Sequence, residues 1–225
     1  MSPRRSGHED REARAGRGKT PAPRVSADVS RRIARMVKAN PGQVFTPFDF
    51  LDLGSPHSVG MALTRMMRGG GLRRLARGLY DVPRTHPVLG ELMPTADELA
   101  RALARRDGAT VQPAGAMAAN LLGLSEQVPA RAVYLTDGPS RAVRVGALTV
   151  QLKKRPPRQV GSVSPMSSLV FAALRSVGKT SVTKARVRHL TATLSPKDRR
   201  QLLKDLPLAP AWMHPHVRFI AGAPA

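Results

Sequence analysis

His57, Ser58, Met61, Thr64, Arg65 and Arg68, followed by Arg73, Arg74 and Arg77, form the group of side chains whose types and spacing suit a definite chemistry. An arginine presents a planar fork of N–H donors that fits phosphate oxygens, or the O6 and N7 edge of guanine, bidentately. The Ser58 hydroxyl can bond a base or backbone oxygen. His57 reads either as a contact or as a solvated surface imidazole. Such a set recognises a polyanion without making or breaking a covalent bond.

These groups need an element that presents them. Ser55-Pro56 pairs a capping hydroxyl with proline at the first helical position, and Gly69-Gly70-Gly71 stops the helix after Arg68. With successive residues about 100° apart, Val59, Ala62, Leu63, Met66 and Met67 gather on one face. His57, Met61, Thr64, Arg65 and Arg68 gather on the other, with Ser58 beside them. An apolar stripe would hold the helix from behind while its cationic side faces outward.

The flanking elements complete a unit. Val29, Ile33, Met36 and Val37 recur at helical spacing, with Arg31, Arg35 and Lys38 on the opposite face, and Asn40-Pro41-Gly42 closes that helix. Residues 44–46 are a short strand candidate. Thr46-Pro47 then opens a second helix whose buried side is expected to hold Phe48, Phe50, Leu51 and Leu53. After the third helix, residues 72–76 and 79–82 flank Arg77-Gly78 as a hairpin. Arg73, Arg74 and Arg77 are expected to project from its outer side as phosphate contacts. Three helices and a basic hairpin describe a winged helix-turn-helix over residues 28–85, with the third helix in a major groove of double-stranded DNA. The alternative readings are a three-helix bundle with an incidentally basic face and a winged helix used for protein contact.

Charge agrees with a polyanionic partner. The 225 residues carry 37 Lys and Arg against 15 Asp and Glu, a formal net charge of +22. The absence of cysteine excludes disulfides, thiolate metal sites and cysteine nucleophiles, and fits a reducing cytoplasm. No apolar run approaches the roughly 20 residues of a membrane-spanning helix, so no membrane association is expected. No cofactor, metal or catalytic residue is expected either. Gly178-Lys179-Thr180 lacks the earlier glycine of a phosphate-binding loop, because Ala173 stands there. His214-x-His216 has no third ligand nearby, and no serine sits on a nucleophile elbow.

Residues 1–27, rich in Pro, Gly, Ser and Arg, read as a disordered basic arm. Residues 86–225 read as a mixed α/β C-terminal domain ending in helices, so the fold class is α+β. A capping box at Thr95 and Glu98 opens its first helix. A strand at 109–111, a short helix at 114–122 and strands at 132–136, 141–145 and 148–153 follow. Lys153 to Arg158 forms a basic, proline-stiffened exit, and helices capped by Ser164 and Ser195 flank another over 180–194.

The stretch 31–83 resembles the AbiEi-type antitoxin family of bacterial transcriptional regulators, and especially its DUF6088 branch. The likeness rests on Pro41-Gly42-Gln43-Val44-Phe45, on Ala62-Leu63-x-Arg65-Met66, and on Gly71-Leu72-x-x-Leu75-x-Arg77-Gly78-Leu79-Tyr80. Tyr134-Leu135-Thr136-x-Gly138 resembles the family's C-terminal domain. The resemblance implies an autorepressor that binds promoter inverted repeats. It also implies a functional link to a nucleotidyltransferase-like toxin, counteracted without a stable complex in a type IV toxin–antitoxin system. The long basic arm and the Lys153–Arg158 patch depart from the family pattern. The expected function is therefore a DNA-binding, autorepressing antitoxin. Two other readings stay open: a toxin-neutralising or interaction protein acting through its C-terminal domain, and a non-specific nucleic-acid-binding protein.

Overall fold

The computed structural model describes residues 25–156 and 163–222. Most of the expected N-terminal arm and the end of the Lys153–Arg158 patch lie outside those residues. Helix α1 spans Val25–Ala39 and buries Val29, Ile33 and Val37, while Met36 stays at the surface. Thr46 caps a single 3-10 turn, Pro47–Phe50, through a capping box with Asp49. This turn stands where a full second helix was expected. It is too short to present a stripe, so Phe50 alone is fully buried, and Phe48 and Leu51 remain exposed.

Helix α2, Pro56–Arg68, starts where Ser55 accepts a hydrogen bond from the Ser58 amide. Val59, Ala62 and Leu63 are buried against α1, Phe45 and Phe50, with Met66 and Met67 packed at the margin. Strands β1 (Arg73–Ala76) and β2 (Leu79–Asp81) form an antiparallel hairpin turned by Arg77-Gly78, with Gly78 at φ +73°. An irregularity between Arg74 and Ala76 leaves Leu75 outside the register. A second small hairpin follows, β3 (Arg84–His86) with β4 (Gly90–Leu92), which the sequence pattern did not announce.

Helix α3, Ala96–Arg106, has the capping box expected at Thr95 and Glu98. It packs on a four-stranded sheet in the order β5 (Val111–Pro113), β6 (Arg131–Thr136), β8 (Leu148–Lys154), β7 (Arg141–Val145). The β6–β8 pair is parallel and the other pairs antiparallel. Pro113 lies on an edge strand, where its missing N–H costs no ladder bond. Helix α4, Ala116–Leu121, turns Met117 toward this sheet and Ala118 and Ala119 toward a helical layer. That layer comprises α5 (Pro165–Val177), α6 (Lys184–Thr193), α7 (Pro196–Lys204) and α8 (His214–Ala221). Val170, Leu174, Leu190, Leu202, Val217 and Ile220 are the centre of its core. The chain is thus a mixed α+β protein with a helical C-terminal end.

The sheet core contains a polar misfit. Tyr134 is fully buried, and its hydroxyl has no hydrogen-bond partner among the described residues. Desolvation pushes its pKa well above the ordinary tyrosine value. A buried hydroxyl without a partner costs about 1–3 kcal/mol. Tyr134→Phe should therefore keep the fold and raise the thermal midpoint, read by circular dichroism.

Aspartates at the element ends tie the layers together. Burial alone would raise the Asp107 pKa, but hydrogen bonds from Arg141 and Arg106 outweigh it and hold the carboxyl below its usual value. Asp205 behaves likewise through Ser164, Ser167 and Gln201, and Asp137 is lowered by the amide and hydroxyl of Thr110. A carboxyl whose folded-state pKa is depressed stabilises the fold fully above its unfolded value of 3.8. That contribution disappears as pH falls through the lower folded-state values. Denaturant midpoints should accordingly drop below about pH 4, and Asp107→Asn should weaken that dependence.

Candidate nucleic-acid interface

Two antiparallel hydrogen bonds position the elements that carry the candidate residues. Phe45 N donates to Tyr80 O at 2.7 Å, and Tyr80 N donates to Phe45 O at 2.9 Å. The expected strand at 44–46 is thus a single bridge that ties the chain ahead of the 3-10 turn to the β1–β2 hairpin. Side-chain alternation sends Phe45 and Tyr80 toward α1 and α2, and Val44 and Leu79 toward α3 and the sheet. Arg105 secures the same junction from α3, donating to Val44 O at 2.7 Å and to Asp49 Oδ1 at 3.2 Å.

On this support α2 keeps its outward face open. His57, Met61, Arg65 and Arg68 are exposed, with Met61 at 46%, while Ser58 and Thr64 are half-buried. The six residues expected on this face are thus exposed or half-buried, and no described residue buries the exposed four. Two of the hydroxyls are occupied locally. Ser58 Oγ shares a 3.0 Å hydrogen bond with the capping Ser55 Oγ, and Thr64 Oγ1 donates to Gly60 O at 2.9 Å. Thr64 has therefore spent its proton and can only accept, whereas either serine of the Ser55–Ser58 pair can be the donor.

The hairpin arginines divide. Arg74 and Arg77 are exposed, and Arg74 makes one long 3.4 Å bond to its neighbour Ala76 O. Arg73 does not project outward, contrary to the expectation for the hairpin's outer side. Its Nε and Nη2 clamp the buried Asp81 at 3.0 and 2.7 Å, and it also reaches Glu91 Oε2 and Leu92 O. It sits directly opposite Asp81 in the register, so the pair faces the same side of the hairpin. The Asp81 hydrogen bond raises the Arg73 pKa further, outweighing desolvation. Arg73 is a structural cation that joins the two hairpins.

Arg105 and the Arg106–Asp107–Arg141 cluster had no signal in the sequence beyond their charge. Their partners lie 34 to 61 positions away, except for the Arg106–Asp107 neighbours. His214 and His216 lie two positions apart on helix α8, so their side chains diverge, and His214 bonds Ala209 O. Among the described residues no group of three or more His, Asp or Glu could hold a metal ion. No described helix is long and apolar enough to cross a membrane.

This arrangement defines a mixed α+β protein with an exposed, cation-bearing helix and hairpin near its N-terminal end. A family model described as "Family of unknown function (DUF6088)" matches residues 32–202. The chain belongs to the DUF6088 family. No curated protein matches it. Among solved structures, the crystal structure of the RV2827C protein from Mycobacterium tuberculosis is similar at 19% identity, over 90% of this chain and 78% of that one, with a TM-score of 0.39. A likeness that distant transfers no residue or role.

The division among the arginines is measurable. Asp81 is only 3% exposed at its side chain, so Arg73→Ala leaves a buried carboxylate without its main partner. Losing one member of such a pair costs about 3–5 kcal/mol. Arg74→Ala should change stability by less than about 0.5 kcal/mol. Chemical denaturation of the two variants checks this contrast, and equal midpoints would contradict it.

Proposed function

We propose that this protein is a DNA-binding transcriptional regulator, with residues 28–85 working as a winged helix-turn-helix and α2 as the helix that enters the major groove. The observation that carries this reading is the exposed face of α2. Met61, Arg65 and Arg68 are exposed, while Val59, Ala62 and Leu63 hold the opposite face rigidly. A recognition helix needs both features, because base-edge hydrogen bonds discriminate only when the backbone behind them is fixed. The face of His57, Ser58, Met61, Thr64, Arg65 and Arg68 supplies the groove contacts, with Thr64 offering an acceptor and Ser58 a hydroxyl. Arg74 and Arg77 on the hairpin supply phosphate contacts. Arg73 has no part in the interface.

The formal charge of +22 adds a sequence-independent attraction to the duplex. Resemblance to AbiEi-type antitoxins supports the narrower assignment of an autorepressor that acts on inverted repeats in its own promoter. The same resemblance supports a toxin counteracted without a stable complex. Residues 86–225 would then carry the antitoxic activity.

The groove and backbone roles separate in binding experiments on the promoter duplex and on random DNA. Arg65→Ala should weaken promoter binding by about 1–3 kcal/mol and random binding much less. Arg74→Ala should weaken both about equally and reduce the salt slope by about 0.9. If both variants lose the same affinity on every sequence, α2 is not reading bases, and the protein coats nucleic acid by charge alone.

A further inference from the structure

The β1–β2 turn, the last turn of α3 and the β6–β7 connection enclose a cleft of about 380 Å³, apart from the exposed face of α2. Small-ligand sites typically occupy roughly 300–1,000 Å³. Arg77 reaches the cleft from the hairpin turn, Arg106 from α3 and Arg141 from the start of β7, with Ser140 beside it. Leu79 and Leu103, both buried, form part of its wall. Three arginines from three separate elements therefore line one concave space.

Their charges are not balanced. Asp107 is the carboxylate that touches Arg106 and Arg141, and Arg77 has no ion-pair partner among the described residues. Arg141 grips Asp107 with Nε at 2.6 Å and Nη2 at 2.9 Å, whereas Arg106 reaches it through Nε at 3.3 Å. The terminal nitrogens of Arg106, the second terminal nitrogen of Arg141 and the whole head group of Arg77 have no described partner. Ser140 Oγ accepts the Lys154 N–H at 3.0 Å and keeps its own proton to donate. Cations held together beside an apolar wall repel one another unless an anion enters.

We propose that this cleft binds a phosphate group, gripped by Arg77, Arg106 and Arg141 with Ser140 as a further donor. Several guanidinium forks around one space suit a tetrahedral oxyanion, which accepts bidentate bonds on more than one edge. The chemistry is the same whether the phosphate belongs to a small phosphorylated molecule or to a nucleic-acid backbone. Arg77 belongs to the hairpin, while Arg106 and Arg141 belong to α3 and the sheet. An occupant therefore cross-links the hairpin to α3 and the sheet. The proposal stands independently of groove reading by α2.

The test titrates the full-length protein with pyrophosphate at constant ionic strength, followed by calorimetry. Wild type should bind at a single saturable site. Arg106→Gln should weaken that binding by about tenfold or more, the worth of a charge-assisted hydrogen bond. Asp107 retains both Arg141 bonds in that variant, and a thermal melt checks its fold. Arg77→Ala, which has no described partner to lose, is a second variant and should weaken pyrophosphate binding similarly. Arg68→Ala, on the exposed face of α2, should leave it unchanged. A parallel titration with a short DNA duplex identifies the source of the phosphate. If Arg106→Gln also lowers duplex affinity and reduces the salt slope by about 0.9, the backbone occupies the cleft. If duplex binding is unaffected while pyrophosphate binding is lost, the ligand is a small phosphorylated molecule. The proposal is overturned if wild type shows neither saturable pyrophosphate binding nor Arg106-dependent duplex binding, or if Arg68→Ala loses as much pyrophosphate affinity as Arg106→Gln. Failure of wild type to bind DNA at all would remove the groove-reading proposal and leave the pyrophosphate result standing.

Discussion

The paired hydrogen bonds between Phe45 and Tyr80 are the constraint on which the N-terminal half depends. They hold two short extended segments side by side, and period-two alternation then forces each segment to serve two cores. Phe45 and Tyr80 pack toward α1 and α2, while Val44 and Leu79 pack toward α3 and the sheet. The helical pair and the hairpin therefore cannot reorient independently of the α3 layer. Arg105 adds a polar clasp at the same point through Val44 O and Asp49. Asp49 also closes the capping box of Thr46, so one carboxylate both starts the 3-10 turn and receives the cation from α3.

A chain this rich in arginine must keep some cations from being mere solvated charge. Arg73 and Arg141 each grip a poorly exposed aspartate through two nitrogens, and Arg105 bonds a backbone carbonyl. These contacts sit at junctions between hairpins, helix ends and strands, where a planar fork satisfies two acceptors in one geometry. Arg68 and Arg74 remain at the surface. The positive charge is thus divided between cohesion inside the fold and an outward field. A carboxylate in a weakly hydrated position decides which role an arginine takes. Depressed aspartate pKa values at the junctions are the electrostatic sign of the same division.

The second and third cores share α4, whose Met117 faces the sheet and whose Ala118 and Ala119 face the helical layer. Small alanines let α5 approach closely, and Ser168 on α5 donates to Gln112 of the edge strand β5. With Val44 and Leu79 joining the first core to the second, the three cores form a continuous series. The helical layer reaches the N-terminal unit through the sheet.

The sequence by itself determined the elements whose signals are local. Ser55-Pro56 and the triple glycine bound α2 within a residue, Thr95 and Glu98 opened α3, and Arg77-Gly78 turned the hairpin. Capping and turn chemistry act within about four residues, so they are written in the order of the chain. The side chains on the outward face of α2 were legible for the same reason, since helical periodicity alone separates them from Val59, Ala62 and Leu63. Tertiary structure alone decided the rest. Pro47–Phe50 stayed a single turn because the chain is drawn straight into the Phe45–Tyr80 bridge and α2. The β3–β4 hairpin formed on strands of three residues each, too short to carry a pattern. Arg73, Arg74 and Arg77 are chemically identical in sequence, yet one became a structural clamp because Asp81 lies opposite it in the register. The cluster of Arg106, Arg141 and Asp107 likewise unites residues 34 positions apart. Burial and charge pairing are properties of neighbours in space, and linear order does not specify them.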